Sequence, residues 1–366
     1  MDALTPSALT ERQELLLKLI VREHVRTAMP VASRALVTHY ELGCSSATVR
    51  NEMAHLEELG YLRQPHTSAG RLPTEAGFRY FVERLMDEQT LPMAERRTIA
   101  HQFYQTRDNI EQWMPLAASV LARSTRGAAL VTAPRAIRPL YKHLELIVTH
   151  GRAVLLVLVL RGGVIEQQIL ALPEPMTQAA LSEAADRLNQ LCAGLDAEQV
   201  AVQLSQLPPL EADFAQLIVG LMRGAERSAT DEIYHHGLAA LLQEPEFAEG
   251  EQESAGVIRV LEERSILQAV LADALTPSVG IGGVRVLIGG EGRWDELRSC
   301  SVVLARYGVA NHATGALGVV GPIRMGYGRA ISVVRFVADV LGELVYDMYQ
   351  PGSLEAFHAL GPVDET

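Results

Sequence analysis

A chain of 366 residues is too long for one simple core, so two or three domains are expected. Hydrophobic residues at 48% and aromatics at 5% exclude a disordered chain and describe an aliphatic, well-packed globular protein. A net charge of -12 excludes a protein that coats nucleic acid over its whole surface, yet it leaves room for one small reading head. Residues 1–90 carry 10 Lys/Arg against 12 Asp/Glu, and from Arg12 to Arg84 the balance turns to 10 basic against 8 acidic. The acid is therefore concentrated elsewhere in the chain.

Thr10-Glu11-Arg12-Gln13 reads as a capping box opening a helix to about Thr27, with Leu16, Leu19, Ile20 and Val25 at helical spacing. Pro30 interrupts it. Ser33 is expected to cap a second short helix to about Tyr40, and Gly43 to mark a tight turn. Ser45 or Ser46 opens a third helix ending at Leu59, closed by Gly60 at the position after its cap. Tyr61–Arg63 reads as a strand, Pro65–Pro73 as a polar loop, and Thr74 as the cap of a helix over Glu75–Glu88. Pro92 marks a joint, followed by a helix spanning Ala94 to Leu121. The runs His143–Thr149, Ala153–Leu160 and Val164–Leu170 are β-like, with hairpin turns at Gly151-Arg152 and Gly162-Gly163. Helical spacing holds from Thr177 to about Gln243, broken at Pro208-Pro209. Strands resume at Val284–Ile288, Ser301–Tyr307 and Gly315–Val320 before a closing amphipathic helix, Tyr327–Met348. Strands, helices and strands again suggest an α+β domain with a helical insertion.

Three short helices with a turn before the third, then two strands joined by a polar loop, describe a winged helix-turn-helix. Stepping 100° per residue along the third helix puts Val49, Met53 and Leu56 in one sector, the side expected to be buried. Opposite lie Ala47, Asn51 and Glu58, flanked by Thr48, Arg50, Ala54 and His55. That face suits a major groove. Ala47 permits close approach, Arg50 can donate twice to guanine or bind phosphate, Asn51 can pair with an adenine edge, and Thr48 can meet a thymine methyl. Ser45 and Ser46, at the helix N-terminus, can hold a backbone phosphate. The loop Gln64–Arg71 offers His66, Thr67 and Ser68, with Arg71 its main charge, to a phosphate backbone or minor groove. Alone it would be an ordinary hairpin turn; joined to the preceding helix it reads as a wing. Glu52, Glu57 and Glu58 are expected to sit away from phosphates.

Several other signals point away from chemistry. Cys44, Cys192 and Cys300 are far apart, without metal-ligand spacing, which argues for free thiols in a reducing cytosol. Cys300, in a β-like run, reads as core. His235-His236 and His143/His150 lack a third ligand. Gly280–Gly292 lacks the Gly-Lys-Ser/Thr of a phosphate cradle and the spaced glycines before a helix. No catalytic constellation stands out, so neither enzyme activity nor a cofactor or metal is expected. Met1–Leu9 has no leader pattern, and the longest apolar run, Ala153–Leu160, is far short of a membrane span. A cytoplasmic protein without a membrane partner is the expectation.

One family resemblance runs through the chain. Leu9–Gln13, Pro30-Val31, Ser33-Arg34, the run Ser45–Ala54, Pro65–Arg71 and Pro73-Thr74-Glu75 carry it at the N-terminal end. Ile288-Gly289 with Glu291, Cys300–Val303, and Gly321-Pro322 with Arg324-Met325 and Tyr327 carry it later. With these motifs the chain resembles the heat-inducible transcription repressor HrcA family. The resemblance implies a dimeric repressor of heat-shock chaperone operons that binds the inverted-repeat operator CIRCE, with the chaperonin GroEL keeping it active. It further implies a winged helix over 1–90, a GAF-like domain from 91–190 and 251–350, an inserted dimerising domain over 191–250, and a tail, 351–366. Ala28 and Ala32 stand where the family often has Gly, and Gly292 where it often has Asn. A rival reading is a one-component regulator whose GAF-like domain senses a metabolite.

Overall fold

The computed structural model describes residues 9–66, 70–107, 109–136, 139–161, 164–227, 233–248, 250–274, 280–289, 294–310 and 312–349. Gly162-Gly163, Glu291, Gly292 and the tail 351–366, all named in the sequence reading, lie outside the described residues.

The chain is mixed α+β. It begins with α1 (Glu11–Thr27), α2 (Ser33–His39) and α3 (Ser46–Glu58). The capping box forms as expected: Gln13 N donates to Thr10 Oγ1 at 3.3 Å, and Thr10 N to Gln13 Oε1 at 3.0 Å. Ser33 does not cap α2. It is the first helical residue, and the extended Ala32 precedes it without a side-chain bond. Then come β1 (Leu62–Arg63) and β2 (Leu72–Pro73), paired antiparallel, and α4 (Glu75–Tyr80) capped by Thr74. The helix expected to reach Glu88 changes at Phe81–Leu85 to one wide turn, closed where Met86 N donates to Phe81 O at 2.8 Å.

The expected helix Ala94–Leu121 is two, α5 (Met93–Gln105) and α6 (Ile110–Thr125). Asn109 starts the second by accepting from Glu111 N, and the Thr106 carbonyl at the break accepts from both Asn109 N and the Trp113 indole. The strand β3 (Ala128–Thr132) follows, buried at every residue, and then β4 (Arg135–Ala136).

Next in the chain are β5 (Tyr141–His150), β6 (Ala153–Leu160) and β7 (Ile165–Ala171), an antiparallel three-stranded sheet in that order. After them come α7 (Gln178–Cys192), α8 (Ala197–Gln203) and α9 (Pro209–Arg227). Alternate residues of β6 (Val154, Leu156, Leu158, Leu160) meet Leu181, Leu188, Val200, Phe214 and Ile218 of these helices in one closed core. Contacts therefore cluster Thr132–Ile233 into a unit of its own, with short returns of chain from later elements. The sequence reading put the insertion at 191–250; the shared core places the three hairpin strands with the helices instead, because each side buries its apolar face on the other.

The other unit takes the described residues up to Val131, Tyr234–Arg306 and Ala316–Val340. Here lie β8 (Ile233–His236), α10 (Leu238–Leu241), α11 (Pro245–Ala248), α12 (Glu251–Glu262) and α13 (Arg264–Ala274). They lead into β9 (Val284–Ile288), β10 (Cys300–Val309), β11 (Ala313–Pro322) and α14 (Tyr327–Tyr349). Its sheet runs β8-β3-β11-β10-β9, with β4 pairing β11. The end of β10, the start of β11 and the end of α14 belong to the unit built on Thr132–Ile233. Cys300 is core, as read, and burial pushes its thiol up to about 12. Val334, Val337 and Leu341 make the inner side of α14.

Candidate nucleic-acid interface

The candidate surface is held from behind. Val49, Met53 and Leu56 of α3 are at most 1% exposed; α3 packs on α1 and α2, where Leu16, Leu17, Ile20 and Leu36 are equally buried. Burying each such side chain contributes about 1.5–3 kcal/mol. The helix can thus hold its outer face out without side-chain help from that face.

Its ends are satisfied locally. Ser45 Oγ accepts from Thr48 N at 3.2 Å and lies 3.1 Å from Thr48 Oγ1. At the other end Gly60 N donates to Glu57 O and Tyr61 N to Leu56 O, both at 2.9 Å. Gly60 has φ +81, so this double closure needs a residue without a side chain.

On the outer face Ser45, Ser46, Ala47, Arg50, Asn51 and His55 are exposed and Thr48 is half-buried. Among the described residues Arg50 and Asn51 make no side-chain hydrogen bond. His55 Nδ1 lies 3.3 Å from Glu58 Oε2. His66 is exposed on the β1–β2 loop, while Thr67 and Ser68 lie outside the described residues. Arg71 stands apart from this group. Only 12% of its side chain is exposed, and its Nε donates to Glu57 Oε2 at 2.8 Å. Arg71, expected as the loop's main charge, is thus paired at the loop's base.

The acidic residues of α3 each have an occupation that sequence spacing did not show. Glu52 Oε2 accepts from the Gln13 amide at 3.1 Å, so the residue that completes the α1 cap also ties α1 to α3. Glu57 accepts from Gln64 N as well as from Arg71. Further back, Glu23 accepts from Tyr40 Oη at 2.8 Å and from Arg26 at 2.6 Å, clasping the end of α2 to α1. Tyr80 donates to Glu14 at 2.6 Å, and burial first, then that bond, pushes its hydroxyl up to about 12. The Thr10/Gln13, Glu23/Arg26 and His55/Glu58 pairs sit at local spacing; the longer-range pairs have no such signal.

Among the described residues no three His, Cys, Asp or Glu side chains gather as a metal site, and no helix is long and apolar enough to cross a membrane.

In the three-helix head, one side of α3 is buried and the other stands in solvent. Residues 111–331 match the family model described as the HrcA protein C terminal domain. Curated relatives match almost end to end. The heat-inducible transcription repressor HrcA of Roseiflexus castenholzii is 46% identical over 93% of this chain and 96% of its own. That of Herpetosiphon aurantiacus is 45% identical over 95% and 98%, and that of Thermomicrobium roseum 41% over 93% and 96%. The chain belongs to the HrcA family of heat-inducible transcription repressors. A crystal structure described as that of a hypothetical protein shares the fold, with a TM-score of 0.58 at 22% identity over 93% of this chain and 100% of that one.

Proposed function

We propose that the chain represses heat-shock chaperone operons by binding the CIRCE inverted repeat as a dimer, with α3 in the major groove and the β1–β2 loop as its wing. The observation that carries this reading is the outer face of α3. Ala47, Arg50 and Asn51 stand exposed on a helix whose opposite side is wholly buried, and Arg50 and Asn51 have no competing side-chain partner among the described residues. Arg50 then reads guanine or holds a phosphate, Asn51 reads adenine, and Ser45 and Ser46 meet the backbone at the helix N-terminus. Thr48, His55, His66, Thr67 and Ser68 complete the contact surface.

On this reading residues 1–90 are the winged helix-turn-helix, the sheet β8-β3-β11-β10-β9 with its helices is GAF-like, and Thr132–Ile233 is the inserted dimerising domain. An inverted repeat requires two heads related by a two-fold axis. The insertion offers a surface for that pairing. On the side of its sheet away from α7–α9, the row Ile147, Leu155, Ile169 and the pair Val159, Ile165 leave apolar side chains in solvent. GroEL, in the cytoplasm, keeps the repressor active, and its diversion by unfolded protein during heat shock relieves repression.

The test is a gel shift with the inverted repeat and a scrambled control, with and without GroEL. Arg50→Ala and Asn51→Ala should each cost about 1–3 kcal/mol of operator affinity. Binding should fall steeply with salt. If both variants bind the repeat as tightly as the parent, α3 is not the reading helix.

A further inference from the structure

The α3 carboxylate of Glu57 reaches both strands of the wing at once. Its Oε1 accepts from Gln64 N, just beyond β1, at 3.0 Å, and its Oε2 accepts from Arg71 Nε, just before β2, at 2.8 Å. These two residues are the neck of the loop. The second strand is fixed on its other side too: Val31 and Arg71 exchange both backbone hydrogen bonds at 2.9 Å. Gly70 lies so close to the Val31 backbone that any side chain there would collide with it. The neck is therefore gripped between the turn joining α1 to α2 and the last turn of α3.

We propose that Glu57 is a positioning residue that sets the angle at which the wing leaves the recognition helix, and that Arg71 serves DNA binding through this pair rather than by touching phosphate. The inference rests on the DNA-reading role of α3 proposed above. Two physical effects follow. The neck is ordered before DNA arrives, so less ordering remains to be done on binding. The Glu57 charge, which would repel a phosphate backbone if left bare, is neutralised by Arg71 at a place where that guanidinium is almost covered.

The alternative role for Arg71, a direct phosphate contact, makes the opposite prediction for one substitution. Glu57→Gln keeps the side chain's shape and can still accept from Gln64 N, but it loses its charge and its acceptor for Arg71. If Arg71 belonged on phosphate, the variant would free it and remove a nearby anion, and operator binding would tighten. On the positioning role, binding of the full-length repressor to the inverted repeat weakens by roughly tenfold. Hydroxyl-radical footprinting should then show loss of protection at the flanks of each half-site, where the wing lies, with protection of the central major groove retained. Arg71→Ala should weaken binding to a similar extent without lowering the salt slope, whereas loss of a phosphate contact lowers it by about one. The double variant should be no worse than either single one, since both break one pair.

Thermal unfolding and circular dichroism of each variant separate these effects from a failure to fold. Glu57→Gln that folds and binds as well as the parent, or better, overturns the proposal, as do additive losses in the double variant. A parent protein that leaves no footprint on the repeat removes the DNA reading itself and this inference with it. That result is distinct from a binding parent matched by an equally binding Glu57→Gln.

Discussion

Ala28 shows how a single residue records a local cost. It ends α1 with φ 57 and ψ 10, the left-handed conformation, and its N–H donates to His24 O at 2.9 Å. A Cβ in that conformation crowds the following carbonyl and costs about 1 kcal/mol relative to glycine. The residue letter does not announce this strain; it shows only in the backbone. Ala28→Gly is expected to stabilise the head by up to about 1 kcal/mol, less the extra freedom glycine gives the unfolded chain. Chemical denaturation followed by far-ultraviolet circular dichroism would register it. A clear loss of stability would mean that the turn depends on the alanine methyl. Side chains that act over a few residues were legible in the sequence, as with the Thr10 cap and the Ser45 cap. Pairs such as Gln13 with Glu52 or Glu57 with Arg71 were not, because residues 39 and 14 apart in the chain meet only once the helices have packed.

At the scale of elements the same division holds. Helix ends in the head carry their own punctuation, so α1 and α3 stop and start where Thr10, Ser45 and Gly60 place them. The buried strand β3 and the short β8 are not legible in the sequence because neither alternates apolar with polar residues; β3 owes its existence to its pairing with β11, nearly two hundred residues away in the sequence. The split between α5 and α6 has no Pro or Gly to announce it; Asn109 marks it only by capping α6. The end of α2 is likewise tied to α1 by a distant pair, Glu23 with Tyr40, and this tie is expected to respond to pH. The bond from Arg26 chiefly, and that from Tyr40 next, hold the Glu23 carboxyl below its ordinary value of 4.5. A depressed carboxyl stabilises the fold above its unfolded value and loses that contribution as pH falls through the folded one. Protection of α2 amides against hydrogen exchange, corrected for intrinsic rate, should therefore drop between about pH 6 and about pH 3. Glu23→Gln should already show reduced protection at the higher pH and a flatter profile. An unchanged profile would show that apolar packing around Leu36 alone holds α2.

For the molecule as a whole, the proposed dimer puts a demand on the insertion that its own sheet can meet. Ile147, Ile165 and Ile169 are 42%, 56% and 71% exposed, and they share one side of the sheet with Leu155, Val157 and Val159. Polar Glu145 and Gln167 lie across the middle strand from each other on either side of Val157, so the apolar area is divided into two bands. A two-fold pairing counts every side chain twice, and covering an exposed isoleucine contributes about 1.5–3 kcal/mol when burial is complete. Ile169 is the most exposed of the three, so replacing it perturbs the folded subunit least and a paired surface most. Ile169→Asp would place two carboxylates in the joined face without partners, each costly to desolvate. Sedimentation velocity is expected to show monomers at concentrations where the parent is dimeric, with dissociation at least about a hundredfold easier. Circular dichroism should stay that of the parent, since the other side of the sheet keeps its core. The gel shift should then lose the slow complex on the full inverted repeat. Retention of a stable dimer by Ile169→Asp would exclude this face as the joining surface and move the pairing to another part of the chain.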